Sequence, residues 1–167
     1  MALSGHVTSG TAGTGGQSYF RVDWTATQDA ATNKSTVNWT LTLYCGTNIW
    51  RTNAVRIDYV KINGTEVKSS TTYSNKGNGS SGWSEQLASG TIDITHDSSG
   101  AKSFSIQLSG WFYQYGTRTG SQTFTLDTIP RASGITASNA NFGAVSNIKI
   151  DKKSTSFTTT VSYKASG

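Results

Sequence analysis

Cysteine, proline and charge are all scarce in this chain of 167 residues. A single cysteine, Cys45, excludes an internal disulfide framework and any cysteine-rich zinc site. One proline, together with few runs of helix formers, argues against a helical bundle. Charged residues make up 14% of the chain, against about a quarter in an average globular domain. No apolar run reaches the roughly 18 residues that a membrane-spanning helix needs. The opening Met1-Ala2-Leu3-Ser4-Gly5 has neither a basic n-region nor an apolar h-region, so no secretory signal is expected. What fills the space is Ser and Thr, at about 50 positions, with 18 glycines. A flexible linker shares that balance, but not five Trp, seven Tyr and six Phe. There is a core to bury.

The net charge is +5 and the pI near 9.4, a mild bias towards anionic partners. The basic residues are dispersed, and the densest cluster is only Lys149, Lys152 and Lys153. A nucleic-acid binder carries a basic stripe interleaved with stacking aromatics, which is missing here. Neither a nucleic-acid nor a membrane partner is expected.

Apolar residues recur at every second position through most of the chain, the period of a strand with one buried face. Across Tyr19 to Ala26, Phe20, Val22 and Trp24 share a face, with Arg21 and Asp23 opposite. Ser35 to Tyr44 places Val37, Trp39, Leu41 and Leu43 inward and Thr36, Asn38, Thr40 and Thr42 outward. The polar Gln28 to Asn33 between them has hairpin length. Asn63-Gly64, between Arg56–Ile62 and Thr65–Ser70, predicts a type I′ turn, in which both central residues need positive φ. Asn75 to Gly82 reads as a loop, Trp83 to Ile94 as a strand, and Asp97-Ser98-Ser99-Gly100 as a tight turn. In the strand Lys102 to Gln114, Phe104, Ile106, Leu108 and Phe112 share one face, and Ser121 to Leu126 closes the set.

Seven or eight short strands at this spacing predict an all-β fold. The architecture is a two-layer antiparallel β-sandwich, jelly-roll-like or immunoglobulin-like. The only proline lies in Thr128-Ile129-Pro130-Arg131-Ala132-Ser133, after the last patterned strand. The expected division is therefore a sandwich over 1–128, a linker over 129–133, and the incomplete start of a second β domain over 134–167.

Four segments carry a family resemblance. They are Tyr19-Phe20-Arg21-Val22-Asp23-Trp24, Asn33 through Leu41, Ile94 through Phe104, and Leu126 through Ser133. In that order they resemble the tail-associated minor structural proteins of siphophages that infect Gram-positive, streptococcal-type bacteria. The chain departs from that pattern in one turn: His96-Asp97-Ser98-Ser99-Gly100 stands where the family has His-Asn-Ala-Asp-Gly. The resemblance implies a virion component at the tail tip or baseplate, made in the host cytoplasm and contacting the host cell wall. It brings no catalytic motif with it.

The residues themselves give little enzymology. Glycoside hydrolysis needs two carboxylates about 5–9.5 Å apart across a cleft, and Asp23 with Asp58 or Asp93 is the pairing to weigh. Of the other Asp residues, Asp97 adjoins Ser98 in an apparent turn, where an Asp side chain bonds local backbone. His6 and His96 are the only histidines, and no Gly-x-Ser-x-Gly elbow accompanies them. His96, just before a tight turn, reads as structural. Two histidines and one cysteine at unrelated spacings do not make a metal site. Gly10, Gly13, Gly15 and Gly16 lack the context of a phosphate loop and read as a flexible or edge segment. No catalytic residue, metal or cofactor is expected, with a wall hydrolase as the minor alternative.

Trp24, Trp39 and Cys45 belong to inward rows. Trp111, Tyr113 and Tyr115 do not. They continue the outward row of Gln107 and, if extended, lie about 6.5–7 Å apart, the repeat of a sugar chain laid across a sheet. The same row is equally what a buried contact with a loop or second domain requires. Trp50 with Asn48 and Arg51, and Trp83 beside the glycine-rich loop, sit at strand–loop junctions where binding residues concentrate. Trp50 either caps the core edge or holds ligand. The outward Thr36, Asn38, Thr40 and Thr42 are either a glycan-bonding row or a solvated face. Together these residues predict a non-catalytic module binding bacterial cell-wall polysaccharide. The alternative is a structural spacer whose aromatic row meets other phage tail proteins.

Overall fold

The computed structural model describes residues 2–13, 18–46, 54–74 and 82–131. Among them nine strands form two antiparallel sheets packed face to face. The strands are β1 (Ser4–Thr8), β2 (Tyr19–Asp29), β3 (Lys34–Cys45), β4 (Ala54–Ile62), β5 (Thr65–Lys68), β6 (Thr71–Ser74), β7 (Trp83–Thr95), β8 (Ser103–Phe112) and β9 (Gly116–Thr125). One sheet has the order β1-β2-β3-β7. The other runs β5-β4-β8-β9, with β6 continuing β5 along the same edge of β4. The chain is a β-sandwich, as the alternation predicts.

Strand order decides between the two expected topologies. With β2, β3 and β7 as A, B and E, and β4, β8 and β9 as C, F and G, the neighbours match those of an immunoglobulin sandwich. Strand D is replaced by β5–β6 on the free edge of C. The jelly-roll alternative is not what forms. The Asn63-Gly64 turn has φ of 51° and 80°, as a type I′ hairpin demands. Edge strand β1, for which the alternation gives no expectation, pairs with β2 from Ser4↔Thr25 to Thr8↔Arg21. Ala2 N and Gly10 N, at either end of it, donate to Thr125 O and Thr119 O of β9 at 3.1 and 2.9 Å. The sandwich is thereby closed along one side, which protects two edges from foreign pairing.

The inward rows interlock as aromatic pairs. Phe20 lies 4.7 Å from Phe112, and Trp24 meets Phe104 and Phe124 edge-on at 5.0 and 4.9 Å. Trp24, Trp39 and Cys45 are all buried, and burial raises the thiol pKa. β4 breaks strict alternation. Its inward residues are Val55, Ile57, Val60 and Ile62, with a bulge opposite β8 between Ile57 and Tyr59. The extra residue keeps both ends of the row in the core and leaves Asp58 directed outward.

At one end the β2–β3 turn and the β7–β8 turn dock on one another. Asn33, at φ 57°, donates from Nδ2 to the carbonyls of His96 and Asp97. The segment after β9 folds over this junction: Ile129 is buried, its N–H donates to Gly100 O at 2.9 Å, and Arg131 Nη1 donates to Ala30 O. The expected second-domain segment, 134–167, lies outside the described residues.

Candidate functional site

Two outward faces carry concentrated side-chain chemistry, one on each sheet. On the outer face of β4 and β8, Arg56 stands opposite Trp111, and Tyr59 opposite Ser109. Arg56 Nε donates to Asp58 Oδ1 at 2.6 Å, and Ser109 Oγ donates to Asp58 Oδ2 at 2.9 Å. The Arg56 guanidinium also lies over the Trp111 ring, 5.6 Å from its centre. Each oxygen of Asp58 is thus held by a separate donor, and the bulge in β4 is what aims the carboxylate at both. Lys61 Nζ covers Tyr59 at 4.9 Å, opposite the exposed Gln107.

The aromatic row differs from its expected geometry. β8 ends at Phe112, and Tyr113-Gln114-Tyr115 form the turn into β9. Gln114 and Gly116 both take positive φ there, at 67° and 75°, and Tyr115 N donates to Phe112 O. Trp111 is half-buried and Tyr113 is 41% exposed; their rings meet edge to face at 6.1 Å. Tyr115 instead packs against the core. The spacing of two between these residues is therefore that of a turn, not of a strand, and the surface is a two-ring corner rather than a three-ring strip. Trp83 opens β7 opposite Cys45 and rests half-buried against the core edge. Trp50, Asn48 and Arg51 lie outside the described residues.

The second face belongs to β1, β2 and β3. An open groove of about 380 Å³ is lined by His6, Arg21, Asp23, Thr25, Asn38 and Thr40, among others. Arg21 donates to Asp23 Oδ1 from both Nε and Nη2, which holds the guanidinium fully charged. Beyond Arg21 the rings of Tyr19 and Tyr44 stack at 5.0 Å, 11° from parallel, with Arg21 over Tyr44 at 5.9 Å. Asn38 and Thr40 were visible in the sequence as a polar row. His6 and Arg21 were not, because cross-strand register brings them to it.

The structure also places the residues weighed for catalysis. Ser35 and His96 form a hydroxyl–imidazole pair, Oγ to Nε2 at 2.7 Å, and both are buried. His96 Nδ1 lies 2.8 Å from Gly100 O, which can only accept, so Nδ1 carries a proton. The pair clamps two turns together rather than facing solvent. Asp23 and Asp58 lie on opposite faces of the sandwich. Asp23 and Asp93 share a face, but Asp23 pairs with Thr40 and Asp93 with Thr36 two strands away. That register separates their backbones by roughly 16 Å, beyond glycosidase geometry. Among the described residues no group of three or more His, Cys, Asp or Glu side chains is arranged to hold a metal ion. No helix among them is long and apolar enough to cross a membrane.

A protein-family model described as "Siphovirus protein of unknown function (DUF859)" matches residues 16–167. The chain belongs to this siphovirus family. No curated protein and no solved structure matches it. The DUF859 match runs from just before β2 through the strands that carry Trp111 and Arg56 and through two of the three groove strands, leaving β1 outside.

Proposed function

We propose that this siphovirus protein is a non-catalytic module of the phage tail that binds host cell-wall polysaccharide during adsorption. The observation that carries the reading is the Trp111–Tyr113 corner beside the fixed Arg56–Asp58–Ser109 array. A pyranose presents an apolar face and a rim of hydroxyls. The indole and phenol rings cover the apolar face, Arg56 and Asp58 bond the rim, and Gln107, about 13 Å further along β8, meets a later sugar of the same chain. Both halves of the site sit on or beside central strands whose positions the core fixes, so little ordering entropy is lost on binding. The net charge of +5 adds a weak, salt-sensitive attraction to phosphate-bearing wall polymers. Repetition on a virion converts modest single-site affinity into firm attachment.

In this reading the protein is a virion component at the tail tip or baseplate and contacts other tail proteins. It has no nucleic-acid or membrane partner and needs no cofactor. The test is a titration of the full chain with purified wall polysaccharides from Gram-positive bacteria, read by intrinsic tryptophan fluorescence, with Trp111→Ala alongside. A saturable shift that disappears in the variant is expected. A shift that survives moves the site away from Trp111. No shift with any polysaccharide overturns the reading and makes the corner a contact between tail subunits, the spacer alternative.

A further inference from the structure

From the groove on β1–β2–β3 we infer a second carbohydrate subsite on the face opposite Trp111, so that one domain holds two glycan chains at once. This rests on the carbohydrate reading above. Charge excludes most other ligands. Arg21 is already neutralised by Asp23, and the groove has no uncompensated cation to attract a free phosphate or a nucleic acid. Most of its lining side chains are polar, with Trp24 the one large apolar member, which suits a ligand with both hydroxyls and an apolar face better than a lipid. What remains is a dense set of short-range donors and acceptors at a volume typical of small-molecule sites.

Its pairing pattern is suited to vicinal hydroxyls. Asp23 receives Arg21 on Oδ1 alone, and its position is flanked across the ladder by His6 and Thr40. Asn38, one step along β3, stands opposite Thr25 and offers an amide donor and acceptor. A carboxylate oxygen and an amide on neighbouring strands bond adjacent hydroxyls as acceptor and donor. The stacked Tyr19–Tyr44 pair extends the same face beyond Arg21 and gives the next sugar an aromatic edge. The ligand class is a neutral stretch of polysaccharide.

The two faces point in opposite directions, with their side chains roughly 20 Å apart across a sandwich whose sheets are about 10 Å apart. A short oligosaccharide cannot reach both. A long polymer, or two polymer chains, can be bridged.

The experiment is amide chemical-shift mapping of the full chain with short fragments of the purified wall polysaccharide, followed by light scattering with the intact polymer. The variants are Trp111→Ala and the outward-facing pair Asp23→Asn/Asn38→Ala, with thermal unfolding as the check on folding. Two separate perturbed patches are expected, around Thr40 and around Trp111. Each variant should abolish its own patch and leave the other within about twofold in affinity. The parent should cross-link long polymer, and either variant should lose that scattering. Should Asp23→Asn/Asn38→Ala unfold, Thr40→Val serves, with an expected weakening of the groove patch by about tenfold for a lost hydrogen bond. Perturbation confined to Trp111 and its neighbours overturns the second subsite while leaving the carbohydrate reading intact. Perturbation confined to the groove overturns the two-face inference and the Trp111 site together, with the groove then the sole binder. No perturbation by any polysaccharide overturns both readings.

Discussion

Gly110 is a position where one added carbon should disturb the aromatic core directly. It stands in the inward row of β8, between Ser109 and Trp111 and opposite Ile57. Phe20 of the facing sheet lies across it: a Cβ at Gly110 would meet Phe20 Cε2 at 2.3 Å, Cδ2 at 2.6 Å, and Arg56 O at 3.1 Å. Reaching ordinary contact, 3.4 Å and beyond, demands a retreat of about 1.1 Å. The ring has nowhere to go, since Phe20 is fully buried and already 4.7 Å from Phe112. Overpacking of this kind costs about 3 kcal/mol, and the lower unfolded-state entropy of Ala returns up to about 1. Gly110→Ala should therefore destabilise by about 2 kcal/mol, a large share of the 5–15 kcal/mol typical of a domain.

The assay is urea unfolding of the full chain, with Phe20→Leu and the double variant completing a cycle. If the clash is with the ring, Phe20→Leu relieves it. The double variant should then be at least about 1 kcal/mol more stable than the two single effects predict. A Gly110→Ala protein within about 0.5 kcal/mol of the parent, or strictly additive effects, would refute the packing argument. The consequence reaches function, because β8 must bow to accept the carbon. Ser109 and Trp111, on either side of Gly110, then shift against Arg56 and Asp58, so the wall binding proposed for this face should weaken even where the variant is fully folded.

Ser35→Ala removes the hydroxyl partner of buried His96 and should cost about 1–3 kcal/mol in urea unfolding; an unchanged midpoint would show that the clamp is idle. The Asp97 carboxyl is held below its ordinary 3.8, first by the Ser99 hydroxyl and then by the Ala101 and Ser99 amides. Because the folded pKa is depressed, that contribution is complete above pH 3.8 and lost as pH falls through the folded value. Asp97→Asn should accordingly lower the thermal midpoint at pH 7, and the gap to the parent should close below pH 3.8; a gap independent of pH would contradict this. Cys45, buried with its pKa raised, should resist a thiol reagent in the native protein and react fully in denaturant.

The inward rows were legible because side-chain alternation is a local property. Phe20, Val22 and Trp24, or Phe104, Ile106, Leu108 and Phe112, declare a buried face whatever strand lies beside them. The Asn63-Gly64 turn was legible for the same reason. What escaped was either a break in the period or a matter of register. Ile57 to Val60 is a step of three, the mark of the bulge that frees Asp58, and it passes unnoticed among the surrounding twos. Trp111, Tyr113 and Tyr115 keep the spacing of a strand although the chain turns at Tyr113, because no Asn-Gly or Pro announces that reversal. The β1 strand has one glycine and one valine inward, too weak an alternation to stand out, and without it the groove has no third wall.

Both faces share a design that bears on the wall adhesion proposed above. The charged groups at the centre of each face are already engaged: Arg56 with Asp58, Asp58 with Ser109, Arg21 with Asp23. Internal pairing fixes the geometry before a ligand arrives and removes the penalty of desolvating a lone charge. It also uses up part of each group's bonding capacity, so a hydroxyl gains a second, weaker share of a donor or acceptor rather than an empty one. Sites of this kind are ordered but individually weak, and they release quickly. Under the proposed tail role, weak and fast single contacts would allow a particle to sample a wall before enough of them engage to hold it.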